Sequence, residues 1–402
     1  MTTQAKQPSF DAPASEWLVY ADALQEAHDP RGELIVLNHA VEAGKTSAAE
    51  RDAYVAKNVD ALIGKGVNAE SYRFGWKHGL IETAEILVED PAAADGAIDA
   101  LFAAPSATHL RSVSLVGVSK NKATVDLTGA TAKLAAVLPA TCKTVGFIDE
   151  RAAKATLLSS RDFDPDPNLV RFGDLNPFFT NANVESVTIS AADSEQLNLG
   201  AISAPKLKSF TLNSLRYGVD PYNDTEVALS NSLASSSWPS LESFELRLTE
   251  TWMANIVDDA DAYVSHYAGE ENFEDRMDEA EDEGDNEGVN WSQLRALLES
   301  LKKTQLKRLA LTSVDSASSL LDLIAEVGLP PTLEVLDLSD GSVDNAAWFV
   351  NNKKLFAPLK RLVLERTSMT DDDAKDLTAL GIEIRHSHSS NGARYRYIVG
   401  SE

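Results

Sequence analysis

Few residues of this chain have the types and spacing that catalysis requires. Cys142, the one cysteine, is a candidate nucleophile, because a thiolate attacks electrophilic carbon. The residues that flank it are typical of the start of a buried strand, where cysteine behaves as a small apolar residue. His386 and His388 would project from one side of a strand, as at the edge of a metal site, but the sequence places no third ligand near them. We expect a buried Cys142 and a polar C-terminal cap at the two histidines.

The common catalytic motifs are missing from the sequence. It contains no Walker-type phosphate loop, no Gly-x-Gly-x-x-Gly, no His-Glu-x-x-His and no Gly-x-Ser-x-Gly. The sequence therefore predicts a protein that is not an enzyme and that uses neither cofactor nor metal. The enzymatic alternative is a component such as a ligase-like effector in which Cys142 is the nucleophile.

Charged residues are concentrated in one long acidic stretch. The chain has 62 acidic and 36 basic residues, a formal net charge of −26, and residues 258–287 alone hold fourteen carboxylates and one arginine. Such a stretch is either a solvated loop or an arm that attracts a basic partner or mimics nucleic acid. No register in it provides the ligands of a calcium loop. The candidate binding residues of this arm are Tyr263, Tyr267, Phe273, Glu274, Asp275, Asp278, Glu279, Glu281, Asp282 and Glu283.

The elements that position these residues are set by the repeated pattern Leu-x-x-Leu-x-Leu. Two successive intervals between clear copies are 27 and 26 residues, within the roughly 20–29 residues of one repeat. Each copy predicts a short strand with an apolar anchor before it, and the segments between copies have helical spacing. Clear copies begin at Leu241, Leu306, Leu333 and Leu359, fainter ones at Leu110, Val184 and Leu207, and a truncated one is Ile382-x-Ile384.

These copies resemble leucine-rich repeats of the ribonuclease-inhibitor-like kind, and residues 367–377 are similar to that family's strand-to-helix turn. The resemblance implies a solenoid whose parallel strands line a concave face, where the x positions point outward. On that face rows of Lys/Arg would lie beside rows of Glu/Asp, which suits a protein partner of mixed charge better than a nucleic acid. The predicted binding residues are Lys208, Thr211, Glu242, Glu245, Lys307, Arg308, Glu334, Asp337, Lys360 and Arg361.

The first hundred residues carry a different motif. Residues 18–26 and 29–33 resemble the signature of the bacterial repeat-companion domain, and residues 72–82 are similar to its closing element. The chain departs from that signature at Ala23, where the family has tryptophan, and at His28, where it has glycine. The resemblance implies a helical cap for the repeats, in which an ion pair in the turn is preferred to a recognition or catalytic cluster. The motif residues are Tyr20, Asp22, Asp29, Pro30, Arg31, Gly32 and Glu33.

Together these patterns predict an α/β fold, a leucine-rich-repeat solenoid with helices on its convex face and a mainly helical N-terminal cap. No apolar run is long enough to span a bilayer, no signal peptide is recognisable, and a single cysteine suits a reducing compartment, so we expect a cytoplasmic protein of bacterial type. The expected parts are a flexible N-terminus at 1–12, the cap at 13–95, the solenoid at 105–390 with an acidic insertion at about 258–290, and a C-terminal cap strand at 391–402.

The function that the sequence favours is non-enzymatic recognition of a protein, as a scaffold or adaptor, through the concave face, the acidic arm or both. The alternative within binding is an inhibitor or immunity protein that neutralises a basic effector or nuclease. The patterns predict no direct binding to nucleic acid or to membranes.

Overall fold

The computed structural model describes residues 6–64, 68–119, 124–151, 170–191, 197–214, 232–247, 291–314 and 317–388. The chain divides into two compact units, Met1–Phe147 and Ile148–Glu402. The predicted acidic arm and the predicted C-terminal cap strand lie outside the described residues.

The first unit begins with a helical layer and continues into a sheet. Strand β1 pairs with β2 in an antiparallel hairpin, β2 pairs with β3 in parallel, and β5 is the next strand of the sheet. The helices are α1 Ala14–Glu26, α2 Pro30–Glu42, α3 Ala48–Lys57, α4 Val59–Leu62, α5 Pro91–Ala103 and α6 Thr128–Val137. The strands are β1 Tyr72–Lys77, β2 Leu80–Val88, β3 Ser112–Gly117, β4 Val125–Asp126 and β5 Thr144–Asp149, which runs across the unit boundary.

The second unit is a succession of strands and short helices. Strands β7 to β13 are hydrogen-bonded in chain order, and every one of these pairings is parallel. The strands are β6 Val170–Arg171, β7 Ser186–Ala191, β8 Ser209–Ser214, β9 Ser243–Arg247, β10 Arg308–Thr312, β11 Val335–Asp337, β12 Arg361–Thr367 and β13 Glu383–His388. The helices are α7 Asn176–Thr180, α8 Trp291–Leu301, α9 Ala317–Val327, α10 Ala346–Asn351 and α11 Asp371–Asp376.

The apolar positions of the repeated pattern form the core of the second unit. In register, Phe210 lies beside Phe244, Phe244 beside Leu309, and the row continues through β11 and β12. Each fully buried leucine contributes roughly 1.5–3 kcal/mol, and one copy alone has nothing to pack against. The buried leucines and phenylalanines of this core, within β8 to β12 and directly before or after these strands, are Leu207, Phe210, Leu212, Leu241, Phe244, Leu246, Leu306, Leu309, Leu311, Leu333, Leu336, Leu338, Leu359, Leu362 and Leu364.

Proline residues before the strands act as turn residues. In three repeats the proline before the strand is the second residue of a β-turn, the position that suits its fixed φ. In these turns the leucine N–H donates to the carbonyl three residues earlier: Leu207 to Ala204 at 3.3 Å, Leu241 to Trp238 at 3.0 Å and Leu333 to Pro330 at 3.0 Å.

Three helix ends follow from local backbone chemistry. Thr370 caps α11, since its hydroxyl accepts from the Asp373 N–H at 3.2 Å, and Gly328 ends α9 at φ +81°. Ser15 does not cap α1. That helix begins at Ala14, after Pro13, because proline fits directly before a first turn whose N–H groups have no helical partner.

The turn between α1 and α2 shows why the repeat-companion signature has glycine where this chain has His28. His28 has φ +58°, its N–H donates to Gln25 O at 2.9 Å, and the Asp29 N–H donates to Leu24 O at 2.8 Å. This is a Schellman motif, which places its left-handed residue where glycine is most favourable. Gly32 is fixed by packing instead, because a Cβ there would lie 2.6 Å from the carbonyl oxygen of Ala21 in α1.

We predict that His28→Gly stabilises the first unit by about 0.5–1 kcal/mol, because glycine relieves the left-handed conformation at some cost in unfolded-state entropy. The measurement is urea unfolding followed by circular dichroism. His28→Ala retains the strain and serves as the control. Equal stabilities of the glycine and alanine variants would show that the φ of residue 28 does not limit stability.

Candidate functional site

Charged side chains form a regular array on the outward side of strands β7 to β13. We name this array the charged face. Its first row, the alternating row, consists of residues that precede the strands, and each backbone carbonyl in it accepts from the N–H of the next member at 2.7–2.8 Å. Backbone pairing therefore sets these side chains one strand apart, about 4.8 Å. The alternating row is Glu185, Lys208, Glu242, Lys307, Glu334 and Lys360.

Neighbours in the alternating row form ion pairs. Lys208 Nζ lies 2.6 Å from a Glu185 oxygen, and Lys307 Nζ lies 2.8 Å from one of Glu242. The hydrogen bond that Lys307 donates lowers the pKa of Glu242, and the hydrogen bond that Lys208 donates to Glu185 raises the pKa of Lys208. These side chains are exposed, so solvent screens the pairs and each adds little stability. The alternating row therefore sets a pattern of surface charge and contributes little to the stability of the sheet.

Arg308 is a cation of the charged face that bridges two carboxylates. Its guanidinium donates to Glu245 on β9 at 2.8 Å and to Asp337 on β11 at 3.0 Å, so it joins three strands. The register places Ala310 between these two carboxylates, which means that the guanidinium crosses over the alanine methyl. Ala310, an outward position in the sequence pattern, is fully buried. This outward position is therefore closed to a partner by the side chain beside it.

Further pairs extend the array toward β13 and toward the ends of the strands. Arg361 lies 2.7 Å from Glu383, and Arg366 lies 2.6 Å from Asp340, whose side chain is only 13% exposed. Asp340 and Arg366, like Ser313 after β10, have φ near +60°. Three successive repeats therefore have a left-handed residue near or just beyond the end of the strand, a feature that the sequence pattern did not reveal because none of the three is glycine.

The charged face is not uniform along the sheet. On β7 and β8 the outward positions carry hydroxyls, with Ser186 beside Ser209 and Thr188 beside Thr211. Thr211, a predicted binding residue, therefore belongs to an uncharged strip. The other nine predicted binding residues are brought together in the charged face, where carboxylates and cations are nearly equal in number. Every cation among them has a carboxylate partner on a neighbouring strand or in the adjoining row.

No protein-family model and no curated protein matches the chain. Among solved structures, 21 chains match. One is a Bacteroides fragilis protein with a TM-score of 0.50 and 15% identity over 85% of this chain and 84% of that one. Another is the leucine-rich repeat-containing protein LegL7 of Legionella pneumophila, with a TM-score of 0.36 and 14% identity over 77% and 84%.

The position of the repeated pattern decides the fold, because each copy from Val184 onward coincides with one strand of the parallel series. The chain has a leucine-rich-repeat fold. The predicted α/β class is confirmed, and the likeness to solved structures concerns the fold alone. None of the helices in the described ranges is long and apolar enough to cross a membrane.

The cysteine and histidine candidates have structural positions in this fold. Cys142 is fully buried, its thiol donates to Thr144 O at 3.3 Å, and burial raises the pKa of the thiol to about 11. A buried neutral thiol is a poor nucleophile. The rings of His386 and His388 both bond to Met369 O, at 2.9 and 3.0 Å. Within the described residues, no group of three side chains has the arrangement of a metal site.

The motif residues of the N-terminal turn form a local structural network. Arg31 lies 2.5 Å from Asp29, and the Asp29 carboxylate also accepts from the Arg31 N–H at 2.9 Å, which caps α2. Glu33 accepts from Gln25 at 2.7 Å, and Tyr54 donates to Pro30 O at 3.0 Å. Asp22 is exposed on α1, and Tyr20 is half-buried beside Trp17. These contacts stabilise the turn between α1 and α2. The resemblance to the repeat-companion domain stays a prediction.

Sequence reasoning missed a cluster of aromatic and histidine rings in the first unit. Its members Phe10, Trp17, His39, His78 and His109 come from five separate places in the chain. One signal was available: His78-Gly79 between two alternating strands is a two-residue hairpin turn, comparable to Asn-Gly. Phe10 also falls in the segment predicted to be flexible, and it is buried.

We predict that Asp29→Asn destabilises the chain at neutral pH by about 1 kcal/mol, since a part-exposed ion pair is screened. Burial alone would raise the pKa of Asp29, but its bonds to Arg31 outweigh burial and the pKa lies below the ordinary 3.8. The stabilisation is therefore present above pH 3.8 and is lost as the pH falls below it. Unfolding of both proteins at pH 7 and pH 3 measures this. A constant difference would contradict the ion-pair origin.

We predict that Arg308 and Lys360 of the charged face contribute differently to stability. Arg308→Gln lowers the free energy of unfolding by about 1 kcal/mol, because it leaves Glu245 and the largely buried Asp337 without a shared cation. Lys360→Gln, at a side chain that is 71% exposed, leaves the free energy nearly unchanged. Urea unfolding at low and at high salt compares the two. Equal losses would show that the bridging position of Arg308 has no energetic weight.

Proposed function

We propose that this protein recognises a protein partner through the charged face and acts as a scaffold or adaptor, without catalysis. The observation that carries the proposal is the alternating row, in which backbone register fixes cations and carboxylates in strict succession over six strands. A fixed pattern of both signs is complementary to a surface that carries the opposite pattern, and it repels one that does not.

The dimensions of the charged face agree with this role. Six strands at about 4.8 Å spacing extend the alternating row over roughly 24 Å, the width of a patch that buries about 800 Å² on each partner. The face has no excess of positive charge, so a polyanion gains little there. Since the cations are already paired, a partner exchanges ion pairs instead of desolvating isolated charges, which favours specificity over raw affinity.

A second candidate function rests on the sequence of residues 258–287, whose fourteen carboxylates and one arginine form the densest charge in the chain. As a docking arm this stretch would bind and neutralise a basic effector or nuclease, with Tyr263, Tyr267 and Phe273 as apolar anchors. The two candidates differ in the sign and salt dependence of the partner they select. Mixed charge and weak salt dependence favour the charged face, and a basic, strongly salt-dependent partner favours the acidic stretch.

The test is an affinity pull-down from bacterial lysate with three altered proteins. The pair-swapped protein carries Glu242→Lys, Lys307→Glu, Glu334→Lys and Lys360→Glu, which keeps two ion pairs but inverts their order. A second protein lacks residues 258–287. The control is Lys375→Glu, because Lys375 is exposed and paired with Asp372 on α11. We expect the pair swap to reduce partner recovery at least tenfold and the control to leave it unchanged.

The other outcomes separate the candidates. A partner that is lost with the deletion and retained by the pair swap supports the acidic stretch and contradicts the charged face. Equal recovery by all four proteins contradicts both.

A further inference from the structure

Phe10 is held in a socket of two histidines and two cations in the first unit. Its ring is 5% exposed and stacks on His109, with centroids 5.3 Å apart, and it meets the edge of His78 at 5.8 Å. The Lys77 ammonium lies 4.7 Å from the centre of the ring, and the Arg111 guanidinium lies 4.3 Å from it. Residues 6–12, which we name the N-terminal segment, are attached through the Phe10 ring, through the Gln7 side chain, whose Nε2 lies 2.8 Å from His109 Nε2, and through Asp11, which lies 3.4 Å from Arg111.

His78 is the centre of this socket. It forms the hairpin turn with Gly79, both at positive φ, and its ring lies flat on the Trp17 indole with centroids 4.8 Å apart. His78 Nδ1 is 3.4 Å from His39 Nε2. Two neutral imidazoles can share one proton across this gap, but two imidazolium rings place two N–H donors against each other. The site therefore favours imidazoles that are not both protonated.

Charges around the socket reinforce this preference. On the positive side are Lys77 at the end of β1 and Arg111 before β3, both over Phe10. On the negative side, Glu42 lies 3.4 Å from His39, and Asp11 lies 3.4 Å from Arg111; these side chains are 50% and 79% exposed, so solvent screens them. From α1 the socket receives the rings of Trp17 and Tyr20. Protonation adds positive charge where two cations already lie.

We propose that this histidine cluster makes the attachment of the N-terminal segment sensitive to pH, so that protonation of His78 and His109 releases Phe10 and uncovers Trp17. At neutral pH the uncharged imidazoles pack as apolar rings and hold Phe10. In acid the protonated imidazole rings are solvated better by water than by the socket, so the N-terminal segment detaches. The inference does not depend on the charged face of the second unit.

The direction of the pH dependence follows from linkage. Burial and then His39 lower the pKa of His78. Glu42 raises it, Lys77 lowers it and a backbone hydrogen bond with Phe10 raises it, and the net shift is downward. Burial and Arg111 lower the pKa of His109. The attached state thus binds fewer protons than the released state. Attachment is strongest above the ordinary histidine pKa of 6.5 and weakens as the pH falls below it. Two histidines acting together make the transition steeper than one.

Chymotrypsin cleavage after Phe10 in the full-length protein tests the proposal, because a buried Phe10 cannot enter the protease. Initial rates between pH 7.5 and pH 5.5 are normalised to a free peptide of residues 6–14 at each pH. We expect the normalised rate to rise severalfold in acid, because the released state binds more protons than the attached state. A flat profile overturns the proposal.

Two variants assign the effect to the cluster. His78→Asn keeps the turn, because asparagine tolerates positive φ, and combined with His109→Gln it should abolish the rise. His28→Asn, also at a left-handed histidine but outside the cluster, should behave as the wild type. Arg111→Gln leaves the turn intact and should move the midpoint to higher pH. A double variant with the wild-type profile, or an unmoved midpoint in Arg111→Gln, would overturn the assignment.

Discussion

The parallel register of β7 to β13 is the constraint on which the second unit depends. On β8 to β12, each residue that faces outward owes its position to backbone hydrogen bonds on both sides of its strand, and those bonds are in turn fixed by rows of buried leucine and phenylalanine. A slip of one residue would move the apolar row to the surface, at a cost of several buried side chains. The charged face is thus determined indirectly, by the residues that it covers.

This dependence separates two roles that the charged residues share. The exposed pairs of the alternating row are screened by solvent and add little to stability, so their strict succession of sign is better explained by recognition. Arg308, Asp337, Asp340 and Arg366 are more enclosed and join neighbouring repeats, and their pairing braces the sheet. The charged face therefore combines the exposed pairs of the alternating row with more enclosed pairs that hold neighbouring strands together.

Much of the fold could be predicted from the sequence, because the repeated leucines report burial directly. The strands and the glycine and threonine at helix ends follow from local chemistry. Backbone conformation at Ser313, Asp340 and Arg366 could not be predicted, since nothing in these non-glycine residues indicates a positive φ. The burial of Ala310 was hidden for another reason: it depends on where a long neighbouring side chain lies. The ring cluster around Phe10 was missed because its members are distant in the chain.

The most direct test of the central claim is carboxyl footprinting of the protein with and without its captured partner. Carbodiimide labelling reports the solvent access of each carboxylate, and Asp372 on α11 provides an internal reference. Recognition through the charged face predicts that labelling of Glu242 and Glu334 falls severalfold in the complex while labelling of Asp372 is unchanged. Unchanged labelling of Glu242 and Glu334, with protection confined to residues 258–287, would contradict it.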